Sequence, residues 1–292
     1  MESRSDNTPL VVLVGETASG KSALAMELAR RFDGEIINAD SWAVYRDFDI
    51  GTAKPSALDC SHVPHHLINV ANPSKGFSAA EYKRLALATI ADITSRAKLP
   101  ILAGGTGLYI DSVIFDYSFL PPAAPEVRAA FNKLSIGELL QKAAEADIDT
   151  IDIDIRNKRR IIRLLETGGA LAKRHELRKD TLIIGLSVPR DALLERVTRR
   201  VDVMLDAGLE QEVAKLSERY GWDAEPMKGI GYREFYDYFN GAQTLDQTRQ
   251  RIISATMNLA KRQRTWFKRN NGIHWISKQA EAVELITTLL NK

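Results

Sequence analysis

The chain has 292 residues, 45% hydrophobic and 27% charged, with a formal net charge of +2; it can bury a substantial core, as one large domain or a core with an insert. A single cysteine, Cys60, excludes an internal disulfide, and no Cys/His group has structural zinc spacing. No apolar run approaches the roughly 18 to 20 residues that cross a bilayer, and "MESRSDNTPL" lacks the apolar region of a secretory signal, so a cytosolic protein with no membrane partner is expected.

The first predicted element, "LVVLVG", is a β-branched apolar strand running into Gly15-Glu16-Thr17-Ala18-Ser19-Gly20-Lys21-Ser22 and then an amphipathic helix. This is the GxxxxGK[ST] pattern between a strand and a helix, the context that makes it a phosphate cradle. Its glycines let successive N–H groups point inward, and the helix N-terminus adds partial positive charge. Lys21 adds a full charge, and the Ser22 hydroxyl can ligate Mg²⁺.

The next strand, "EIINAD", ends on Asp40, where small-molecule kinases often keep an acceptor-binding carboxylate. "LPILAGG" then leads into Gly104-Gly105-Thr106 and supplies no carboxylate, although NTP-hydrolysing proteins of this class carry one at such a strand end. The cradle is present and the hydrolytic partner missing, which favours group transfer over hydrolysis. Ligands of open α/β sheets bind outside the carboxyl ends of the strands, so the cradle, Asp40 and Thr106 should line one crevice. A carboxylate there can accept a proton and a threonine hydroxyl can orient a nucleophile; the competing roles are a turn cap for Asp40 and a helix N-cap for Thr106.

From about Pro121 to Lys179 the rhythm breaks into helical segments without a convincing buried strand, and "IDTIDIDIR" within it reads as a loop rather than a strand. Strands resume at "TLIIGLSV" and "GIHWIS", the latter followed by a final helix. Helical patterns follow the first, third and fourth strands. The expected fold is α/β, a P-loop NTPase-like, doubly wound and mostly parallel sheet (1–120 with 180–292) carrying a helical insertion domain at 121–179. Between Gln247 and Ala280 there are eight Lys/Arg and no Asp or Glu, an excess suited to a polyanion. Helical register puts Arg156, Arg159 or Arg160, and Arg163 on one face of the insert. It likewise sets Lys261, Arg264 and Lys268 on one face of a later helix, with Trp266 and Phe267 as core.

The segments "GETASGKS", "NADSWAVYRDFDIGTAKP", "HHLINVANPSKGFSAAEY", "ILAGGTGLYI", "RRIIRLLE", "MKGIGYREF" and "LAKRQRTWFKR" occur in this order. Together they resemble the bacterial tRNA dimethylallyltransferases, isopentenyl transferases that modify adenosine 37 beside the anticodon, over nearly the whole chain. The resemblance implies that the P-loop, Gly15 to Ser22, grips the diphosphate of dimethylallyl diphosphate, with Mg²⁺ as cofactor. It further implies Asp40 as general base, Thr106 at the catalytic channel, and Arg200 reaching the leaving diphosphate beside Lys21; Arg196 and Arg199 stand near enough to compete for that role. The anticodon stem-loop is the implied partner. Its contacts fall on Asp40, Ser41, Trp42, Ala43, Thr106 and Arg128, and on Arg159, Arg160, Ile161, Ile162 and Arg163. In the carboxyl-terminal part they fall on Lys228, Gly229, Ile230, Gly231, Tyr232, Arg233, Lys261 and Arg264.

The chain departs from the family pattern at Glu16, commonly proline, at Trp42 and Ala43 after the Asp-Ser pair, and at Met257, commonly arginine. The insert also lacks the usual His-Pro-Asn run. The implied activity is dimethylallyl transfer to N6 of adenosine 37 in tRNAs reading codons that begin with U, by a monomer. The competing readings are an adenylate isopentenyltransferase, a small-molecule kinase and an ATP-switched RNA-remodelling protein. The basic segments weigh against the first two, and the missing carboxylate against the third.

Overall fold

The computed structural model describes residues 9–291; the amino-terminal stretch read above for a secretory signal lies almost wholly outside the described residues. The chain divides into two compact units, one running up to Ile114 and resuming at Leu177, the other Phe115–Glu176. The first contains β1 (Leu10–Gly15), α1 (Lys21–Arg31), β2 (Gly34–Asn38), α2 (Ala57–His62), β3 (His65–His66), α3 (Ala79–Ser95), β4 (Leu99–Ala103) and α4 (Gly107–Ile114). The second holds α5 (Pro125–Lys133), α6 (Ile136–Glu145) and α7 (Lys158–Glu166). The first unit resumes with β5 (Thr181–Leu186), α8 (Arg190–Asp206), α9 (Leu209–Tyr220), α10 (Tyr236–Phe239), α11 (Leu245–Phe267), β6 (Ile273–Ile276) and α12 (Gln279–Leu290).

The six strands lie in the order β3-β2-β4-β1-β5-β6, and every pairing is parallel, where a mostly parallel sheet was expected. Every residue of β1 is buried, as the continuous apolar run "LVVLVG" requires of a strand covered on both faces. Leu13, Ile36, Ile101 and Ile184 pack with Leu24 and Leu28 of α1 and Ile286 of α12. Helix α3 lies against β2 and β4, and α11 against β1.

Strand β3 and helix α3 are among the elements that have no counterpart in the sequence reading. The edge strand β3 has only two residues, too short for any alternation to register. Helix α3, started by Ser78 accepting Glu81 N–H, precedes β4, where the expected pattern has no helix. Among the described residues no helix is long and apolar enough to cross a membrane.

The insert has its own small core of Leu139, Ile161 and Ile162, with Phe131 and Leu134 packed against it. Ile161 and Ile162, expected at the RNA surface, therefore turn inward: they occupy the apolar stripe of α7. The segment "IDTIDIDIR" forms turns and no strand, with Ile151 and Ile155 exposed.

Candidate active site

The cradle is built locally. β1 delivers the chain to Gly15, and left-handed backbone at Ala18 (φ 60) and Gly20 (φ 99) curls the loop so that N–H groups line a concavity. Gly20 is the N-cap of α1 and offers no side-chain cap, so the first-turn N–H groups stay directed at the loop's interior. The Lys21 ammonium donates to Glu16 C=O at 2.5 Å and lies 3.5 Å from Ser19 Oγ.

At the carboxyl ends of the strands is a crevice of about 350 Å³, lined among others by Thr17, Lys21, Ser22, Asp40, Gly105 and Arg200. The P-loop, the end of "EIINAD" and the Gly104-Gly105 turn thus converge. Burial pushes the Lys21 ammonium down to about 8, aided by the Arg200 charge and opposed by Asp40 and Glu16. Arg200 is likewise lowered by burial, with the Asp40 charge acting against it. Two cations and one carboxylate share a partly desolvated space. Of the arginines in α8, Arg200 lines the crevice, Arg196 donates to Ser19 C=O at 3.2 Å, and Arg199 is exposed.

Asp40 is held in a turn: its Oδ1 accepts Trp42 N–H at 2.8 Å, and its own N–H donates to Asn38 Oδ1 at 3.1 Å. One carboxylate oxygen is committed to the turn, so the cap role is present and does not by itself preclude proton acceptance. Thr106 stands one step back. Its hydroxyl accepts Ser41 N–H at 3.0 Å and donates to Ser41 Oγ at 3.2 Å, bracing the residue after Asp40. Trp42 is half-buried, and Ala43 is buried in the crevice wall.

Other expected site residues are placed unequally. Arg128 donates to Glu166 through two bonds of 2.5 Å, and Arg163 spends its donors on Leu120 C=O (2.5 Å), Pro121 C=O (3.1 Å) and Glu166 (3.3 Å). Both arginines thus serve the insert's own structure around a buried carboxylate, whereas Arg159 and Arg160 are exposed. Within 228–233, Lys228 and Arg233 are exposed and paired with Glu225 and Glu234, but Tyr232 is buried against Phe48, with ring centroids 4.9 Å apart. Gly229 and Gly231 are buried, and Ile230 is half-buried beside Asp40 and Arg200. On α11, Lys261 is exposed, while Arg264 pairs with the buried Glu16. A residue at the expected RNA face is therefore half-buried and paired within the fold, the departure at Glu16 supplying its carboxylate.

Sequence reasoning missed three groups. Gln263 is buried and hydrogen-bonded to both the P-loop and the Gly105 turn. Glu212 on α9 accepts N–H bonds from Asp49, Ile50 and Gly51 (2.8 to 3.1 Å) and the Tyr232 hydroxyl at 2.7 Å, fixing the loop that leads to Thr52 and Lys54 at the crevice. Lys54 directs its ammonium to Tyr45 C=O, Asp49 and Asn69 at 2.5 to 2.7 Å, which makes it a staple for that loop. An unremarkable Gln or Glu on a helix gives no local signal; its partners lie up to 246 residues away.

The donor set suits magnesium arriving with a substrate. The described residues contain no cluster of three His, Cys, Asp or Glu, but Ser22 and Asp40 both line the crevice and can offer hard oxygens. Mg²⁺ commonly takes one or two protein oxygens and completes its shell with phosphate and water.

The IPP transferase family model matches residues 43–270. A tRNA dimethylallyltransferase of Roseiflexus sp. is 44% identical over 276 residues, covering 89% of this chain and 90% of that relative. The crystal structure of the tRNA isopentenylpyrophosphate transferase from Bacillus halodurans superposes with a TM-score of 0.76 at 36% identity, covering 98% of this chain and 97% of that one. A eukaryotic dimethylallyltransferase acting on tRNA gives a TM-score of 0.74 at 26% identity, covering 89% of this chain and 70% of that one.

Proposed function

This chain belongs to the IPP transferase family and is a tRNA prenyltransferase; from that premise we propose that it transfers the dimethylallyl group of dimethylallyl diphosphate to N6 of adenosine 37, in tRNAs reading codons that begin with U. The observation that carries the reaction is the convergence of Lys21, Arg200 and Asp40 on one crevice. The allylic C–O bond breaks with its electron pair leaving on the diphosphate, whose growing charge meets Lys21, Arg200 and the loop N–H groups. The adenine N6 forms the new C–N bond and gives its proton to Asp40. Ser22 would hold Mg²⁺, which when bound supplies further charge neutralisation at the diphosphate. Thr106 acts through Ser41, keeping the Asp40 turn in place.

A base within a stacked anticodon loop cannot reach this crevice, so the adenine must leave its stack, and the protein must hold the rest of the loop. The exposed Arg159, Arg160 and Lys261 are the cations suited to that backbone. Arg160→Ala is expected to weaken tRNA binding and to lower the salt slope of log K by about 0.7 to 0.9, measured by titration across ionic strengths. An unchanged slope removes Arg160 from the interface. Arg163→Ala strikes internal bonds of the insert and should show as lost stability.

The direct test incubates the protein with unmodified tRNA, Mg²⁺ and radiolabelled dimethylallyl diphosphate, followed by nucleoside mapping. Label at N6 of adenosine 37 is expected. Label in AMP alone would assign the free-nucleotide reaction instead. We place the enzyme in the cytosol with its tRNA, acting as a monomer.

A further inference from the structure

The last turns of α11 touch both walls of the crevice at once. The buried Gln263 amide accepts Thr17 N–H at 2.8 Å through Oε1 and donates to Gly105 C=O at 3.0 Å through Nε2. Thr17 belongs to the diphosphate cradle. Gly105 precedes Thr106, whose hydroxyl braces Ser41 beside Asp40. One planar amide, donor at one atom and acceptor at the other, therefore spans the grip on the leaving group and the turn carrying the proton acceptor.

The bridge is closely fitted. A Cβ on residue 105 would lie 2.2 Å from Gln263 Nε2, so only glycine lets the amide close on that carbonyl. The next residue of α11 grips the preceding residue of the loop: Arg264 pairs with the buried Glu16 and donates to Val188 C=O at 3.1 Å. Two contacts are thus fastened at adjacent positions on both elements. Trp266 extends the attachment, its Nε1 donating to Asp111 on α4 at 2.9 Å.

We propose that Gln263 is a positioning residue that sets the distance between the diphosphate cradle and the Asp40 side of the crevice, with the Glu16–Arg264 ion pair holding α11 in register. The proposal rests on the prenyl-transfer reading above. Without the amide, each half of the site keeps its own groups: Lys21 and the loop for the diphosphate, Asp40 and its turn for the amine. What is lost is their alignment, and a misplacement of about 1 Å can cost on the order of a hundredfold in rate.

Gln263→Met keeps the shape of the side chain and removes both hydrogen bonds. In the full chain, kcat at saturating tRNA and donor should fall about 10- to 100-fold, while affinities for tRNA and for magnesium pyrophosphate stay within about threefold. A structural role alone would lower the melting temperature and the active fraction but leave the single-turnover rate per active site unchanged. That outcome, or a pyrophosphate affinity falling as far as kcat, overturns the proposal.

If Gln263→Met does not fold, the latch is tested from its other leg. Glu16→Arg and Arg264→Glu should each reduce kcat, and the double swap should restore it to within about threefold of wild type. A double variant no better than the worse single overturns the register. The two readings fail separately: inactive wild type with tRNA and donor refutes the reaction, whereas active wild type matched by Gln263→Met refutes only the positioning role.

Discussion

Asp40→Asn is expected to lower the single-turnover rate of prenyl transfer by about two to four orders of magnitude, the range for removal of a positioned general base. Asparagine keeps the Oδ1 acceptor that fixes Trp42 N–H at 2.8 Å, so the turn survives and the loss reports proton transfer. tRNA affinity should therefore stay within a few-fold. Asp40→Ala removes the turn bond as well, and the difference between the two variants measures the cap. Because the Asp40 charge helps to hold the Lys21 proton, the alkaline limb of donor use should also move to lower pH in Asp40→Asn. A rate near wild type, or tRNA binding lost in step with the rate, would leave Asp40 only its cap.

The second large effect is at Lys21. Lys21→Ala should reduce kcat/KM for the donor by about a hundred- to a thousandfold, comparable to removing one preorganised group that stabilises developing negative charge. The titration gives the sharper check. Burial and Arg200 hold the free-enzyme Lys21 at about 8, so the cation is present below that pH and lost above it. kcat/KM for the donor, which reports the free enzyme, should fall about tenfold per pH unit beyond about 8. Bound diphosphate favours the charged form, so kcat should hold its plateau to higher pH. Lys21→Arg keeps its charge and should flatten the alkaline limb even if its absolute rate is lower. A profile flat to about pH 9.5 in wild type would remove Lys21 from the donor step.

Much of this site was legible in the sequence because the relevant instructions are local. "LVVLVGETASGKS" specifies a buried strand, a left-handed turn and an uncapped helix start within thirteen consecutive residues. Asp40 and the Gly104-Gly105 turn follow apolar strands whose parallel packing brings their ends together. Helix α3 and strand β3 escaped for opposite reasons. α3 carries a helical signal, its buried row of Tyr82, Ala86, Ile90 and Ile93, that stands between stronger strand signals, whereas β3 is too short to carry any.

The arginines show where local reading stops. A helical wheel separates charged from apolar positions but cannot say which charges are neutralised from elsewhere. Arg128 and Arg163 converge on Glu166, and Arg264 on Glu16, so three of the cations read as facing RNA are held by carboxylates of their own fold. Lys228 and Arg233 keep exposed positions beside Glu225 and Glu234, while the Tyr232 between them fills a core position.

The sequence by itself therefore determined the phosphate cradle, the alternation of strands and helices, the helical insert and the family, since each is written in contiguous spacing or in the order of motifs. Only the tertiary structure decided that Gln263 bridges the cradle to the Gly105 turn, that Glu212 gathers the 49–51 backbone, and that Glu16 consumes Arg264. The physical reason is that a buried polar group takes whichever partner the packing brings within hydrogen-bond reach, and that partner's distance along the chain leaves no periodicity to read.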